Sequence, residues 1–118
     1  MSDRAAIREI IERYIAGIND GNVSDIPLTD DVEFHGAMLA EPRIGEPAVR
    51  EHLSTIAPFV DMTLVELIVE NDAAAAMIEL RTVAGQTVMG LGLFHVRDDA
   101  ISHHRGFTDT HQLFTGQR

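Results

Sequence analysis

The sequence predicts an α+β fold, with helices laid on one face of a curved antiparallel sheet in a single domain spanning residues 1–118. Three observations carry that expectation. Apolar residues recur at helical spacing near the N-terminus, the period becomes twofold after Asp61, and short turn signals divide the twofold region. Helices followed by a meander of strands is the order of an α+β architecture.

Residues 3–19 read as an amphipathic helix. Ile7, Ile10, Ile11, Tyr14, Ile15 and Ile18 fall on one stripe, with Arg4, Arg8, Glu12 and Arg13 elsewhere. Ser2 or Asp3 caps its start, and Asn19-Asp20-Gly21 supplies the stop. Pro27 discourages a long second helix, and Val32 to Met38 alternates as a strand. Gly45-Glu46-Pro47 opens a second helix, with Val49, His52, Leu53 and Ile56 on its inner stripe and Pro58 at its end. Four strands follow: Met62–Glu70, Ala73–Val83, Gln86–Arg97 and Ala100–Thr108. Asn71-Asp72, Ala84-Gly85 and Asp98-Asp99 are the hairpin turns between them.

Composition removes several chemistries. All nine basic residues are arginine, so there is no lysine for a Schiff base or a phosphate-binding loop. With no cysteine there is no thiol nucleophile, disulfide or thiolate zinc site. None of the four serines lies in a G-x-S-x-G elbow. A net charge of −10 argues against nucleic acid or anionic membrane as partner. No apolar run approaches the roughly 20 residues that span a bilayer, and the N-terminus lacks a secretory pattern. The expected location is the cytoplasm.

Four stretches resemble the nuclear transport factor 2-like superfamily, which includes SnoaL-like polyketide cyclases, ketosteroid isomerases and limonene-epoxide hydrolases. They are ERYIAGINDGN (12–22), DDVEFHG (30–36), EPRIGEPAVREHL (41–53) and GLFHVRDDAISHHRGFTD (92–109). The resemblance implies a cystatin-like cone, in which the concave sheet and the N-terminal helices enclose a cavity, and a homodimer. It also exposes departures. Tyr14 stands where the isomerases carry a tyrosine, but Gly36 and Gly92 occupy their two acid positions. Arg81 matches the arginine of the epoxide hydrolases, while Val83 and Gly106 replace their acids. His104 and Asp109 fit a histidine–aspartate spacing found in SnoaL-like proteins.

The candidate catalytic residues are therefore Arg81, Glu79, His104 and Tyr14. On strand 73–83, parity alone makes Ala74, Ala76, Ile78 and Leu80 the better core face, whereas the resemblance turns Glu79 and Arg81 toward the cavity. His104 can act as general acid or base, with a nearby carboxylate such as Glu79 raising its pKa. The Tyr14 hydroxyl can donate to a developing oxyanion. Each of these residues also has an ordinary structural reading: an outer ion pair, a hydrogen-bonded core histidine, a packed tyrosine ring. His52, Phe34, Met38 and Asp109 are the candidate substrate-binding residues. His35 and His95 belong to the outer face, His35 reaching the cavity only through a bulge.

No metal site is expected. The adjacent His103 and His104 point to opposite faces of a strand, and no H-x-x-x-H pattern exists. No cofactor is expected either. The leading expectation is a cofactor-independent isomerase, cyclase or hydratase acting on a hydrophobic, oxygen-bearing small molecule by general acid/base catalysis. It is not a ketosteroid isomerase or limonene-epoxide hydrolase with the usual acids. The competing expectation is a non-catalytic ligand-binding or dimerising module.

Overall fold

The computed structural model describes residues 3–37 and 39–108. Helix α1 (Arg4–Asp20) is followed by strand β1 (Leu28–His35), the two-residue strand β2 (Arg43–Ile44) and helix α2 (Glu46–Ile56). Strands β3 (Val60–Glu70), β4 (Ala73–Thr82), β5 (Thr87–Arg97) and β6 (Ala100–Thr108) complete a six-stranded sheet in the order β2-β1-β6-β5-β4-β3. The sheet is curved and does not close, so the α+β architecture holds. One correction applies: β1 runs parallel to β6, making the sheet mixed and not wholly antiparallel. Among the described residues no helix is long and apolar enough to cross a membrane.

Helix α1 forms where the spacing requires. Asp3 caps it by accepting a 2.7 Å hydrogen bond from the Ala6 N–H. Gly21, at φ 71°, ends it in the left-handed region, and the Asn22 N–H reaches back to the Gly17 carbonyl at 2.8 Å. Its buried stripe of Ile7, Ile10, Ile11, Tyr14 and Ile18 lies on the concave face of the sheet, in one core with Ala74, Ala76, Phe94, Val96 and Ile101. The turn between β5 and β6 has both Asp98 (φ 55°) and Asp99 (φ 61°) left-handed, as a tight two-residue hairpin demands.

Curvature comes from irregular registers. Ladder positions shift between Leu64 and Glu66 on β3, and at Val96, where Ser102 is the extra residue on β6. Such bulges bend the bulged strand and increase its twist.

The edge strand β3 is held to the end of α1 by one side chain. Asn19 Nδ2 donates to the Met62 carbonyl at 2.8 Å, and the Met62 N–H donates to Asn19 Oδ1 at 2.7 Å. The carboxamide thus imitates a neighbouring strand. Asn19→Ala is expected to lower unfolding free energy by about 1–2 kcal/mol, since it removes two hydrogen bonds at a partly solvated edge. Urea denaturation measures it, and a change within experimental error would mean that water replaces the carboxamide.

Candidate functional site

The concave face carries a cavity of about 410 Å³. It exists because small residues occupy matched positions on neighbouring strands. Ala76 on β4 opposes Gly92 on β5, which opposes Gly106 on β6, and Gly90 lies opposite both Ile78 and Thr108. At Gly106 a Cβ would meet nothing within 4 Å, so this position opens onto empty space. At Gly92 a Cβ would lie 2.7 Å from Phe94 Cε1 and 3.2 Å from His104 Nε2, so only glycine lets those two rings sit where they do. Gly36, Gly92 and Gly106, the positions where the resemblance implies acids, all line this void.

Tyr14 from α1, Phe34 from β1, His52 from α2 and His104 from β6 meet at this cavity, whose walls include Ile78 and Leu80. The His104 ring stacks on Phe94, with centroids 4.1 Å apart and planes 12° apart. Tyr14 meets His104 edge-on at 5.1 Å and Phe94 edge-on at 5.3 Å. Phe34 lies 4.8 Å from His104 and 5.2 Å from His52. Tyr14 and His104 are both buried, and no hydrogen bond joins the phenol or the imidazole to another described residue, so desolvation dominates both groups.

Burial sets the charge state of these groups. His104 is pushed down to about 3 by desolvation, with the neighbouring His103 adding to it. Desolvation raises the Tyr14 phenol above its ordinary value. His52, only partly buried, is lowered by desolvation and then by the Arg43 charge. At neutral pH the cavity therefore presents an uncharged phenol and uncharged imidazoles. Such groups donate and accept hydrogen bonds without the cost of burying an ion.

Two expectations about this site are corrected. Glu79 and Arg81 do not face the cavity. Both are exposed on the outer face of β4, while Ala74, Ala76, Ile78 and Leu80 take the inner one. Strand parity was the sound guide, because an apolar row buries at no electrostatic cost and a charged pair does not. Arg81 instead borders a separate surface depression with Asp20 and Asp61. With Glu79 on the opposite side, no carboxylate among the described residues raises the pKa of His104, and desolvation moves it the other way. Met38 and Asp109 lie outside the described residues. Leu93 falls on the outer face, whereas Phe94 is fully buried behind His104.

The sequence pattern of the SnoaL-like domain family matches residues 11–104. The chain belongs to this SnoaL-like family. Solved structures agree on its fold. A nuclear transport factor 2-like protein of unknown function from Cytophaga hutchinsonii is similar with a TM-score of 0.81 and 18% identity, covering 97% of this chain and 99% of its own. A protein assigned as a SnoaL-like polyketide cyclase from Jannaschia reaches 0.81 at 18% identity, over 98% and 96% of the two chains. TerC, co-crystallised with polyporic acid, also reaches 0.81 at 18% identity, over 93% and 96%. No curated protein sequence matches the chain. At these identities the likeness establishes the SnoaL-like fold and leaves activity to the site itself.

The outer face of this SnoaL-like sheet holds a cluster that sequence spacing misses. Glu33 and His35 on β1 and His103 on β6 place one ligand atom each within 4.8 Å of one another. His103 is lowered from its ordinary pKa by desolvation first, then by His35 and His95. The adjacent-histidine rule holds, since His103 points outward and His104 inward. What it does not capture is that β6 lies parallel to β1. The recoverable signal was Glu33-x-His35, a pair on one face of a strand.

Proposed function

We propose that this SnoaL-like protein binds a hydrophobic small molecule carrying a carbonyl or related oxygen, and acts on it as an isomerase, cyclase or hydratase-type enzyme without a cofactor. The observation that carries the reading is the pairing of Tyr14 and His104 in an apolar cavity as neutral hydrogen-bonding groups without a partner among the described residues. Its volume suits a small ligand; such pockets run from about 300 to 1,000 Å³.

In this reading the substrate oxygen accepts hydrogen bonds from the Tyr14 O–H and a His104 ring N–H. Both strengthen as negative charge grows on that oxygen. His52, neutral at physiological pH, accepts the proton from the carbon next to the carbonyl. The enolate then takes the proton back at another carbon, or its carbon attacks a second carbonyl carbon of the same molecule, whose C=O π pair moves to oxygen and takes the proton from His52. His104 serves as donor here and not as base, because a group titrating near 3 accepts protons poorly at neutral pH.

Tyr14→Phe tests the assignment. Loss of one such donor is expected to lower kcat about 100- to 1,000-fold, with less than about tenfold change in ligand affinity and no loss of fold. Turnover of a panel of enones, quinones and aromatic ketones gives the rate, and thermal shift with the same compounds gives the binding. Unchanged turnover would remove Tyr14 from the mechanism. The second reading, a non-catalytic binding module, is favoured by one feature: among the described residues no carboxylate lines the cavity. It predicts saturable binding without conversion of any bound compound.

We also take the protein to be a cytoplasmic homodimer. Met77, Leu91 and Phe107 support the dimer, because they form an exposed apolar row across β4, β5 and β6 on the outer face.

A further inference from the structure

We propose that Glu33, His35 and His103 form a three-ligand site for a divalent first-row transition metal of the zinc type, on the outer face of the sheet. The site is separate from the cavity and independent of the reaction assigned to it.

The donors are placed by strand geometry. Glu33 and His35 are two residues apart on β1, so both point away from the buried Phe34 between them. The parallel pairing of β1 with β6 sets Glu33 opposite His103 and His35 opposite Arg105. His35 Nε2 is already 3.2 Å from Glu33 Oε1. The His35 and His103 rings lie face to face with centroids 4.9 Å apart and planes 29° apart. On the next strand His95 is the direct cross-strand partner of His103, its ring edge-on at 5.6 Å. Three adjacent strands thus bring three imidazoles and a carboxylate to one patch.

The distances suit a small ion. Metal–ligand bonds of about 2.0–2.2 Å in a tetrahedral site put donor atoms about 3.3–3.6 Å apart. The longest separation among the three donors is within 4.8 Å, and small side-chain rotations on a partly exposed face close the difference. One His103 nitrogen, Nδ1, is buried and has no hydrogen-bond partner among the described residues, a state that costs free energy unless something binds there.

Donor chemistry selects the class. Two imidazoles and one carboxylate suit zinc, cobalt, nickel or copper, whereas calcium and magnesium prefer all-oxygen sites. The net charge of −10 draws cations generally. Arg105 is a positive charge that acts on His103, but its side chain is exposed and its repulsion is screened. Three ligands leave coordination positions for water or for His95.

The consequence is mechanical. His103 faces outward while its chain neighbour His104 faces the cavity, and His104 is the register partner of Phe34. A metal bridging β1 and β6 on the outer side fixes the two strands that carry these cavity residues.

The test uses tag-free protein stripped with chelator and titrated with Zn²⁺ alone by calorimetry. One equivalent is expected to bind, with a Tm rise of about 5 °C at saturation. Co²⁺ is expected to take the same site with the visible absorption of a four- or five-coordinate ion. His35→Ala and His103→Ala should each weaken Zn²⁺ binding by about 100-fold or more, since loss of outer partners alone costs about 10- to 100-fold. Glu33→Gln is the conservative variant. It keeps the side-chain shape at a half-exposed position, so its metal-free melting should match the parent while its affinity falls. Absence of stoichiometric binding below about 100 μM, equal stabilisation by Mg²⁺ or Ca²⁺, or full binding by all three variants would overturn the site.

Discussion

Phe94→Ala is expected to lower unfolding free energy by about 3–5 kcal/mol, the range for truncating a fully buried aromatic ring. Phe94 has no exposed surface and lies at the inner face of β5, a strand paired on both sides. Its ring stacks on His104 at 4.1 Å and receives the edge of Tyr14 at 5.3 Å, so it supports both polar groups of the cavity. Truncation adds the ring's volume to a void that already measures about 410 Å³, and local collapse cannot refill it. Domains of this size have about 5–15 kcal/mol of stability in total. The variant should thus be marginal at room temperature, with a urea midpoint far below the parent's. A second readout separates packing from general damage. Water admitted beside His104 should return its pKa toward the ordinary value of 6.5, visible in an NMR titration of the ring protons. A stability loss under about 1 kcal/mol would mean that the ring is not the support described here.

The dependence of this cavity on apolar packing explains which parts of the molecule could be read in advance. Helix α1 and strands β3 to β6 were legible because each satisfies a local rule: a 3.6-residue stripe, a twofold alternation, a turn pair such as Asp98-Asp99. Strand β2, two residues long, has no pattern to read, and β1 begins at Leu28, before its alternation becomes clear. The parallel pairing of β1 with β6 was illegible because alternation reports a face and never a partner. The same limit hid the meeting of Glu33, His35 and His103. Tyr14 and His52 are legible from their helix stripes, whereas His104 is marked only by the histidine–aspartate spacing of the resemblance, since alternation on the last strand separates His103 from His104 without saying which of them faces inward. Glu79 and Arg81 were misplaced where resemblance overrode parity, although Ala74, Ala76, Ile78 and Leu80 already formed the cheaper face to bury. The missing acids at Gly92 and Gly106 could be seen in the sequence, but the void they leave needed the register across three strands.

His104 should also make the protein acid-sensitive, with a stability loss on the order of 3 kcal/mol at about pH 4.5 relative to pH 7. In the unfolded chain this histidine titrates near 6.5, whereas in the folded protein desolvation holds it to about 3. Between those values the unfolded state binds a proton that the native state refuses, so stability rises with pH. The contribution is complete above 6.5 and falls by about 1.4 kcal/mol per unit as the solution is acidified, levelling off near 3. His52 and His103 are lowered as well and add in the same direction, by less, because both are partly exposed. Comparison with His104→Leu isolates the buried group. Leucine fits the apolar surroundings of Phe34 and Phe94, carries no titrating proton, and should flatten the decline between pH 6.5 and 4.5 in urea unfolding series. If parent and variant decline in parallel, His104 is hydrated in the folded state and its neutrality cannot be assumed. The result bears directly on mechanism. A His104 that stays neutral down to about pH 3 cannot produce an acid limb near pH 6 in a rate profile, so a limb found there belongs to His52, the remaining titratable base at the cavity among the described residues.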